Sequence, residues 1–238
     1  MRPDVMALRN FYATPLGAVT AGMIARSIKR SQWHLRAGNF LAMGYCWPVL
    51  ERLELHAPAT ELMPAGQGAE GSDLRPGSQR TALVEETCLP LSDAETDNLL
   101  LIQSLEHCMR PQALAREIWR ILTPGGRAMI IVPNRRRLWS SVEATPFGHG
   151  YPFSRRQIQS LLSEHLLTPL NIGTALFVPP VQVTGVERLA QFTEGPGLGL
   201  FPAAGGLLVV EAEKRMGGAI PSAEREAALR VVRPTSNG

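Results

Sequence analysis

The sequence predicts an α/β protein in which helices cover both faces of a doubly wound, mainly parallel sheet whose last strand is antiparallel. Several short apolar runs are continuous rather than alternating, as expected of strands that are buried on both faces. An amphipathic helix and a Pro-Gly-Gly turn connect two of these runs. Since a strand-helix-strand connection is right-handed and joins parallel strands, the sequence favours three layers, with the sheet in the middle.

The first predicted element is a helix over residues 16–30. Its apolar residues recur three and four positions apart, and it ends at the basic pair Lys29 and Arg30, which suits the negative end of a helix dipole. The runs predicted as strands are 39–43, 59–63, 81–84, 98–103, 127–133 and 206–213. Residues 64–79 are rich in glycine and polar side chains. They are predicted to form a loop in place of a regular crossover helix.

The clearest helix lies between the fourth and fifth strands. Pro111 suits its first turn. Its apolar face is formed at i, i+4, i+7 and i+8 by Leu114, Ile118, Ile121 and Leu122. Pro124 cannot continue the helix, and Gly125 and Gly126 can adopt the positive φ of a tight return.

Length and composition predict one domain over residues 1–214 and a polar, poorly ordered tail over 215–238. The net charge of +3 favours anionic partners only weakly, so nucleic acid is not indicated. Three cysteines without metal-ligand spacing argue against a disulfide framework or a metal site and favour a reducing compartment. The chain has no run of about 18 apolar residues, so we expect a cytoplasmic protein without a membrane span.

Residues 89–134 resemble the core of class I S-adenosylmethionine-dependent methyltransferases of the type 11 group. The shared positions are Asp97, Leu105, Glu106, His107, Glu117, Arg120, Leu122, Pro124, Gly125, Gly126, Pro133 and Asn134. The resemblance implies a Rossmann-like fold that binds S-adenosylmethionine at the carboxyl edge of the sheet. These positions also have structural interpretations: Asp97 can cap a turn, and Glu117 and Arg120 can form a surface pair.

The resemblance places the cofactor against the turn after the first strand, where the family carries G-x-G-x-G. Gly44 matches the first glycine, whereas Cys46 and Pro48 replace the next two, and Ala42 stands where the family has an acidic residue. Either the turn remains open, with Cys46 directed away and Tyr45 forming a wall, or side chains fill the cofactor's place. A β-carbon and a fixed φ at these positions predict weaker binding or a shifted ligand.

The resemblance implies further cofactor contacts at the ends of the next strands. Met63 stands where the family usually has the acidic residue that binds the ribose, and Glu61 lies two residues earlier. Glu85 is expected to accept the adenine amino hydrogen, and the Glu86 backbone N–H to reach the ring nitrogen. The two glutamates can alternatively be exposed loop charges.

Two other side chains are expected to complete the cofactor pocket. Gln103, at the end of the fourth strand, is expected to line it. Tyr12 is expected to close it from the N-terminal segment, with a core aromatic as the alternative.

His149 is the residue that the sequence suggests as a general base. It lies after the fifth strand, where this family builds its acceptor site, and Gly148 and Gly150 flank it. A neutral imidazole accepts a proton near neutral pH, although a loop histidine can equally be structural. The basic residues nearby are an anion-binding rim or a solvated face: Arg135, Arg136, Arg137, Arg155 and Arg156, with Trp139 among them.

Three functional hypotheses follow. The first is an S-adenosylmethionine-dependent methyltransferase with a small-molecule acceptor. The second is an inactive methyltransferase-fold protein that binds a protein partner, because the glycine turn is altered. The third, a nicotinamide-dependent oxidoreductase, is weak because the chain lacks a G-x-G-x-x-G turn.

Overall fold

The computed structural model describes residues 2–31, 38–53, 60–69, 81–142, 145–176 and 205–216. They form a seven-stranded sheet in the order β3-β2-β1-β4-β5-β7-β6. The strands are β1 Phe40–Gly44, β2 Thr60–Pro64, β3 Thr81–Val84, β4 Thr96–Ile102, β5 Leu122–Pro133, β6 Leu167–Ala175 and β7 Leu207–Lys214. The α-helices are α1 Val5–Tyr12, α2 Pro15–Arg30, α3 Trp47–Leu53, α4 Pro111–Ile121 and α5 Arg155–Glu164.

The sheet confirms the predicted fold class. Strands β1 to β5 pair in parallel, and β7 lies antiparallel between β5 and β6. The chain moves outward from β1 to β3 and then returns to place β4 on the other side of β1. In such a sheet, ligands bind beyond the carboxyl ends of the strands at the point where the order reverses, here between β1 and β4.

Two apolar clusters cover the faces of the sheet and create the three layers. One cluster joins α1, α2 and α3 to one face and includes Ala42, Leu100 and Met129. The other joins α4 and α5 to the opposite face and includes Leu99 and Ile130. Alternate residues of β1, β4 and β5 therefore enter different layers, which explains why these strands are apolar along their whole length.

Two polar anchors explain the sequence pattern around α4. The Glu117 carboxylate accepts from the Leu89 backbone N–H at 2.8 Å, while Arg120 binds Glu117 and donates to the Leu89 carbonyl at 3.0 Å. Asp97 accepts from the Asn39 backbone N–H at 3.1 Å and from the Thr123 hydroxyl at 2.8 Å. These residues fix loops to the sheet, so Glu117 and Arg120 are more than a surface pair.

Several boundaries differ from the predictions. Leu122 is not on the face of α4, because its ψ of 138° ends the helix and begins β5. Gly125 has a positive φ of 74°, but Gly126 is not among the residues with positive φ. Gln103 lies just beyond β4, with a φ of 58°. The sequence patterns also missed four elements: α1, α3, α5 and β6.

The predicted loop after β2 and the predicted tail both fall partly on residues that the structure does not describe. Residues 65–67 form a turn after β2, and the rest of the predicted loop from 70 to 79 lies outside the described residues. Residues 217–238 of the predicted tail also lie outside the described residues. In the described part of the chain, no helix combines the length and apolar character needed to cross a membrane.

Candidate functional site

The turn after β1 forms the centre of the candidate site. Gly44 has a φ of 88°, and a β-carbon at this position would collide with the Ile102 carbonyl oxygen on β4. Glycine is therefore required for β1 to approach the end of β4 before the chain turns. This geometry lies at the reversal point of the sheet.

Cys46 and Pro48 are accommodated because the turn leads directly into α3. The Cys46 thiol is fully buried and donates to the carbonyls of Met43 at 3.3 Å and Leu100 at 3.7 Å. It therefore points back into the sheet, and burial raises the pKa of the thiol, which keeps it protonated. The Cys46 carbonyl accepts from Val49 at 3.0 Å. Pro48 lies in the first turn of α3, where a backbone N–H has no partner within the helix, so its absence costs no helical hydrogen bond.

Glu61 supplies the buried acid that is missing from position 42. Its Cα lies opposite that of Ala42 in the parallel β1–β2 register. The fully buried Glu61 side chain accepts from the Cys46 backbone N–H at 3.3 Å. A carboxylate from the neighbouring strand thus supports the turn. Sequence reasoning missed this role because spacing along the chain does not reveal the register between strands.

The ends of β2 and β3 border a cleft of about 400 Å³. Glu85 is exposed, and its carboxylate accepts from the Thr87 hydroxyl at 2.9 Å. Glu86 is buried, and both its oxygens accept from Arg2 at 2.6 Å. Met63 is fully buried in the apolar cluster under α1 to α3, so its side chain cannot bind a ribose. Both glutamates line the cleft, and Arg2 occupies part of it.

Tyr12 and Tyr45 form the wall on the N-terminal side. Their rings stack with centroids 5.7 Å apart, so helix α1 closes over the turn after β1. The buried Tyr12 hydroxyl lies near the Gln103 side chain but forms no hydrogen bond of acceptable geometry with any described residue. Burial raises the pKa of Tyr12 above its usual range, so the phenol remains a hydrogen-bond donor.

Gln103 is buried directly beneath this wall. Its carbonyl accepts from the Gln67 side chain at 3.2 Å, and its Oε1 lies 3.3 Å from Nε2 of His107. Its own Nε2 has no partner among the described residues. A donor is therefore left available at the end of β4.

Glu106 and His107 belong to this site, although sequence reasoning assigned them to the scaffold. Glu106 is fully buried, and neither carboxylate oxygen has a hydrogen-bond partner within the described residues. Burial raises the pKa of Glu106 to about 7. Burial first, and then the charge of Arg2, lowers the pKa of His107 to about 3, so this imidazole is neutral. Their position immediately after a buried strand at the reversal point was the available sequence signal.

The loop that carries His149 packs against Glu106 and His107. Gly150 has a φ of 82°, and a β-carbon there would contact the Glu106 carbonyl at 2.5 Å. The Tyr151 backbone N–H donates to the same carbonyl at 2.7 Å. His149 is half-buried and contributes to lowering the pKa of His107. The loop thus brings His149 near the other site residues, while its role as a base stays a prediction.

The basic residues after β5 are arranged differently from a continuous rim. Arg135, Arg136 and Arg137 are exposed, whereas Trp139 is buried and packs edge-on against Phe147 at 5.9 Å. Arg135 lines a second cleft, of about 470 Å³. Within the described residues, no three His, Cys, Asp or Glu side chains form a group that could hold a metal ion.

Comparison with known proteins identifies the sequence pattern. Residues 63–130 match the model of a family described as a methyltransferase domain. No curated protein sequence matches the chain.

Solved structures show the same fold at low sequence identity. One is an S-adenosylmethionine-dependent methyltransferase from Thermotoga maritima, described as a possible histamine N-methyltransferase. It is 15% identical with a TM-score of 0.65, over 87% of this chain and 94% of that chain. A chain from the Haloferax volcanii complex between the Trm112 methyltransferase activator and a methyltransferase is 12% identical with a TM-score of 0.60, over 90% and 100%.

A third similar structure is the geranyl diphosphate C-methyltransferase of Streptomyces coelicolor A3(2), in complex with Mg²⁺, geranyl diphosphate and S-adenosylhomocysteine. It is 16% identical with a TM-score of 0.55, over 90% of this chain and 87% of that chain. At these identities the structural likeness establishes the fold alone.

Proposed function

Because this chain has the Rossmann-like fold and the domain pattern of the S-adenosylmethionine-dependent methyltransferases, we propose that it is such an enzyme, acting on a small-molecule acceptor. The observation that carries the proposal is a group of buried polar atoms without partners among the described residues at the β1–β4 reversal point. They belong to Tyr12, Gln103, Glu106 and His107. Buried polar groups are normally paired, so their convergence favours a bound ligand.

The residues present fit S-adenosylmethionine in part. The Gly44 turn provides close backbone approach, the Tyr12–Tyr45 pair provides an aromatic wall, and the cleft beside Glu85 and Glu86 suits the adenine. Met63 provides no carboxylate for the ribose. Losing such a charge-assisted hydrogen bond costs about 1.5 to 3 kcal/mol, so we expect affinity one to two decades below that of a complete site.

The bound cofactor would supply an activated methyl group, and the protein's task is mainly to align the acceptor with it. The buried walls exclude water, and the Tyr12 hydroxyl and Gln103 amide can orient an acceptor. Two of the similar structures are described by small acceptors, histamine and geranyl diphosphate, which supports a small-molecule acceptor here.

The alternative is an inactive protein with this fold that binds a protein partner. The Arg2–Glu86 ion pair across the cofactor cleft favours it, as does the apolar end of β2. The similar chain from the complex with a methyltransferase activator shows that partner binding occurs on this fold.

Isothermal titration calorimetry with S-adenosylmethionine and S-adenosylhomocysteine separates the two functions. We expect saturable binding below about 100 μM, since the polar atoms of the site need partners. The Cys46→Gly, Pro48→Gly double variant serves as the comparison, and its affinity should remain within about threefold because Cys46 points away from the site. No heat from the wild type at millimolar ligand, or binding by the double variant alone, would contradict the enzyme proposal.

A further inference from the structure

Glu106 has an environment that a structural carboxylate rarely has. It is fully buried in the short helical segment Leu105–His107 that directly follows β4. Neither oxygen has a hydrogen-bond partner among the described residues. A buried carboxylate without partners is strongly unfavourable, so a ligand that pairs with Glu106 would stabilise this arrangement.

The groups around Glu106 come from four parts of the chain. Tyr12 belongs to α1 and Cys46 to the turn after β1, and the charge of Glu106 acts on both. Arg2 and Glu86 act on Glu106 from the cleft with opposite signs. Since Arg2 is already bound to both oxygens of Glu86, its charge is shared. The backbone N–H groups of Glu106 and Ser104 lie near enough to lower the pKa of Glu106 against the effect of burial, but none of the described residues forms a well-aligned hydrogen bond or an ion pair with its carboxylate.

Further buried polar atoms lie close to Glu106. The Tyr12 hydroxyl, the Gln103 amide nitrogen and Nδ1 of His107 also have no partner among the described residues. They lie near the end of β4, and Nδ1 of His107 faces the loop at Gly150. The Glu106 carboxylate and the unprotonated Nδ1 of His107 are hydrogen-bond acceptors, which suits a ligand that carries its own N–H or O–H group.

Burial determines how Glu106 titrates. Desolvation is the largest influence, and it raises the pKa to about 7. The carboxyl is then about half protonated at neutral pH. A positive charge placed beside it favours the ionised form, so a cationic ligand should release a proton that a neutral ligand does not.

Resting on the proposed function, we propose that Glu106 is a further catalytic residue that takes the proton from an acceptor bearing an N–H or O–H group. When bound, S-adenosylmethionine would supply the methyl group and keep the electron pair of its carbon–sulfur bond, and the acceptor's lone pair would form the new bond to the methyl carbon. The N–H or O–H proton passes to the Glu106 carboxylate and then to water. The acceptor class is thus an amine or a hydroxyl compound.

Proton-linked calorimetry tests this assignment without a known acceptor. S-adenosylmethionine carries a sulfonium charge, S-adenosylhomocysteine does not, and sinefungin places an amine where the methyl group is transferred. At pH 7, in two buffers of different ionisation enthalpy, S-adenosylmethionine should release about 0.4 proton more than S-adenosylhomocysteine. Glu106→Gln should abolish this difference. It should also lower the affinity for sinefungin by about tenfold or more, because the sinefungin amine loses its charged partner. The affinity for S-adenosylhomocysteine should stay within about threefold.

Glu211→Gln is the matched control, because Glu211 is another buried carboxylate and lies on β7, where it pairs with Arg127 at 3.0 Å. It should keep the proton release of the wild type. If Glu106→Gln does not fold, the difference in proton release between S-adenosylmethionine and S-adenosylhomocysteine on the wild type still tests the assignment.

Equal proton release by S-adenosylmethionine and S-adenosylhomocysteine on the wild type overturns the assignment, as does release that persists in Glu106→Gln. A similar loss of affinity for all three ligands in that variant would instead place Glu106 on a part of the ligand that they share. Failure of the wild type to bind any of them contradicts the proposed function itself, and this inference with it.

Discussion

Gly44 is the position in the turn after β1 where a side chain has no space. Its positive φ and the proximity of the Ile102 carbonyl both require glycine. At Cys46 and Pro48 the chain already begins α3, so a side chain and a fixed φ are tolerated. Of three glycines in the related pattern, this chain keeps the one that its own geometry cannot replace.

Gly44→Ala should therefore lower both stability and cofactor binding. The left-handed backbone costs a non-glycine residue about 1 to 2 kcal/mol, and the collision forces β1 and β4 apart at the site. We expect S-adenosylhomocysteine affinity to fall at least about tenfold, measured by calorimetry, with a lower melting temperature.

Gly173→Ala is the control for Gly44→Ala, because a β-carbon at Gly173 on β6 meets only the Val209 carbonyl at 3.8 Å, an ordinary contact distance. It should leave affinity within about twofold. Equal affinities for the two variants would show that the turn after β1 does not contact the cofactor.

Helix α1 acts as a cover that is held at both ends. At its start, the Val5 backbone N–H donates to the Gln67 carbonyl at 2.8 Å and Arg2 binds Glu86. At its end, Tyr12 stacks on Tyr45. The contacts at the start tie the helix to the segments that follow β2 and β3, so opening the cleft requires breaking them.

Arg2→Ala should loosen this cover. The paired side chains are only 15% and 11% exposed, and a charge-assisted hydrogen bond of this kind contributes about 1.5 to 3 kcal/mol. Amide hydrogen exchange in Val5–Tyr12 should therefore accelerate by roughly tenfold or more, measured by mass spectrometry.

Arg2→Lys is the intermediate variant, since it keeps the positive charge but lacks the planar guanidinium whose Nη2 contacts both Glu86 oxygens. Its exchange rate should lie between those of wild type and Arg2→Ala. Unchanged exchange in both variants would mean that other contacts hold α1 in place.

Elements with strong, long patterns could be predicted from the sequence, and those with short or mixed patterns could not. Helix α4 was identified because four apolar positions repeat over three turns, although Leu122 belongs to β5. Strand β6 was missed because most of its residues are only half-buried, so no continuous apolar run marks it. The role of Glu61 depends on the register between β1 and β2, and the role of Glu106 depends on its burial. Neither property can be deduced from the spacing of residues along the chain.

The stability of the whole molecule depends on pH through two adjacent buried residues, Glu106 and His107. The pKa of Glu106 rises from 4.5 to about 7, whereas that of His107 falls from 6.5 to about 3, both mainly through burial. For Glu106 the folded state holds its proton longer, so its contribution to stability is lost as pH rises from 4.5 to 7. For His107 the unfolded state binds the extra proton, so stability is gained as pH rises from 3 to 6.5.

The two contributions oppose each other between pH 4.5 and 6.5, and single variants should separate them. Relative to wild type, Glu106→Gln should gain unfolding free energy progressively from pH 4.5 to 7, by on the order of 3 kcal/mol at about 1.4 kcal/mol per pKa unit. His107→Asn should gain relative stability in the opposite direction, as pH falls from 6.5 to 3. Urea unfolding at half-unit pH steps measures both differences, with Glu211→Gln again as the control for losing a buried carboxylate. If the free energy of unfolding of Glu106→Gln changes with pH in the same way as that of the wild type across this range, Glu106 is not a buried, half-protonated carboxyl. The variant removes only this one proton-binding group, so a raised pKa of Glu106 must appear as a difference between the two curves.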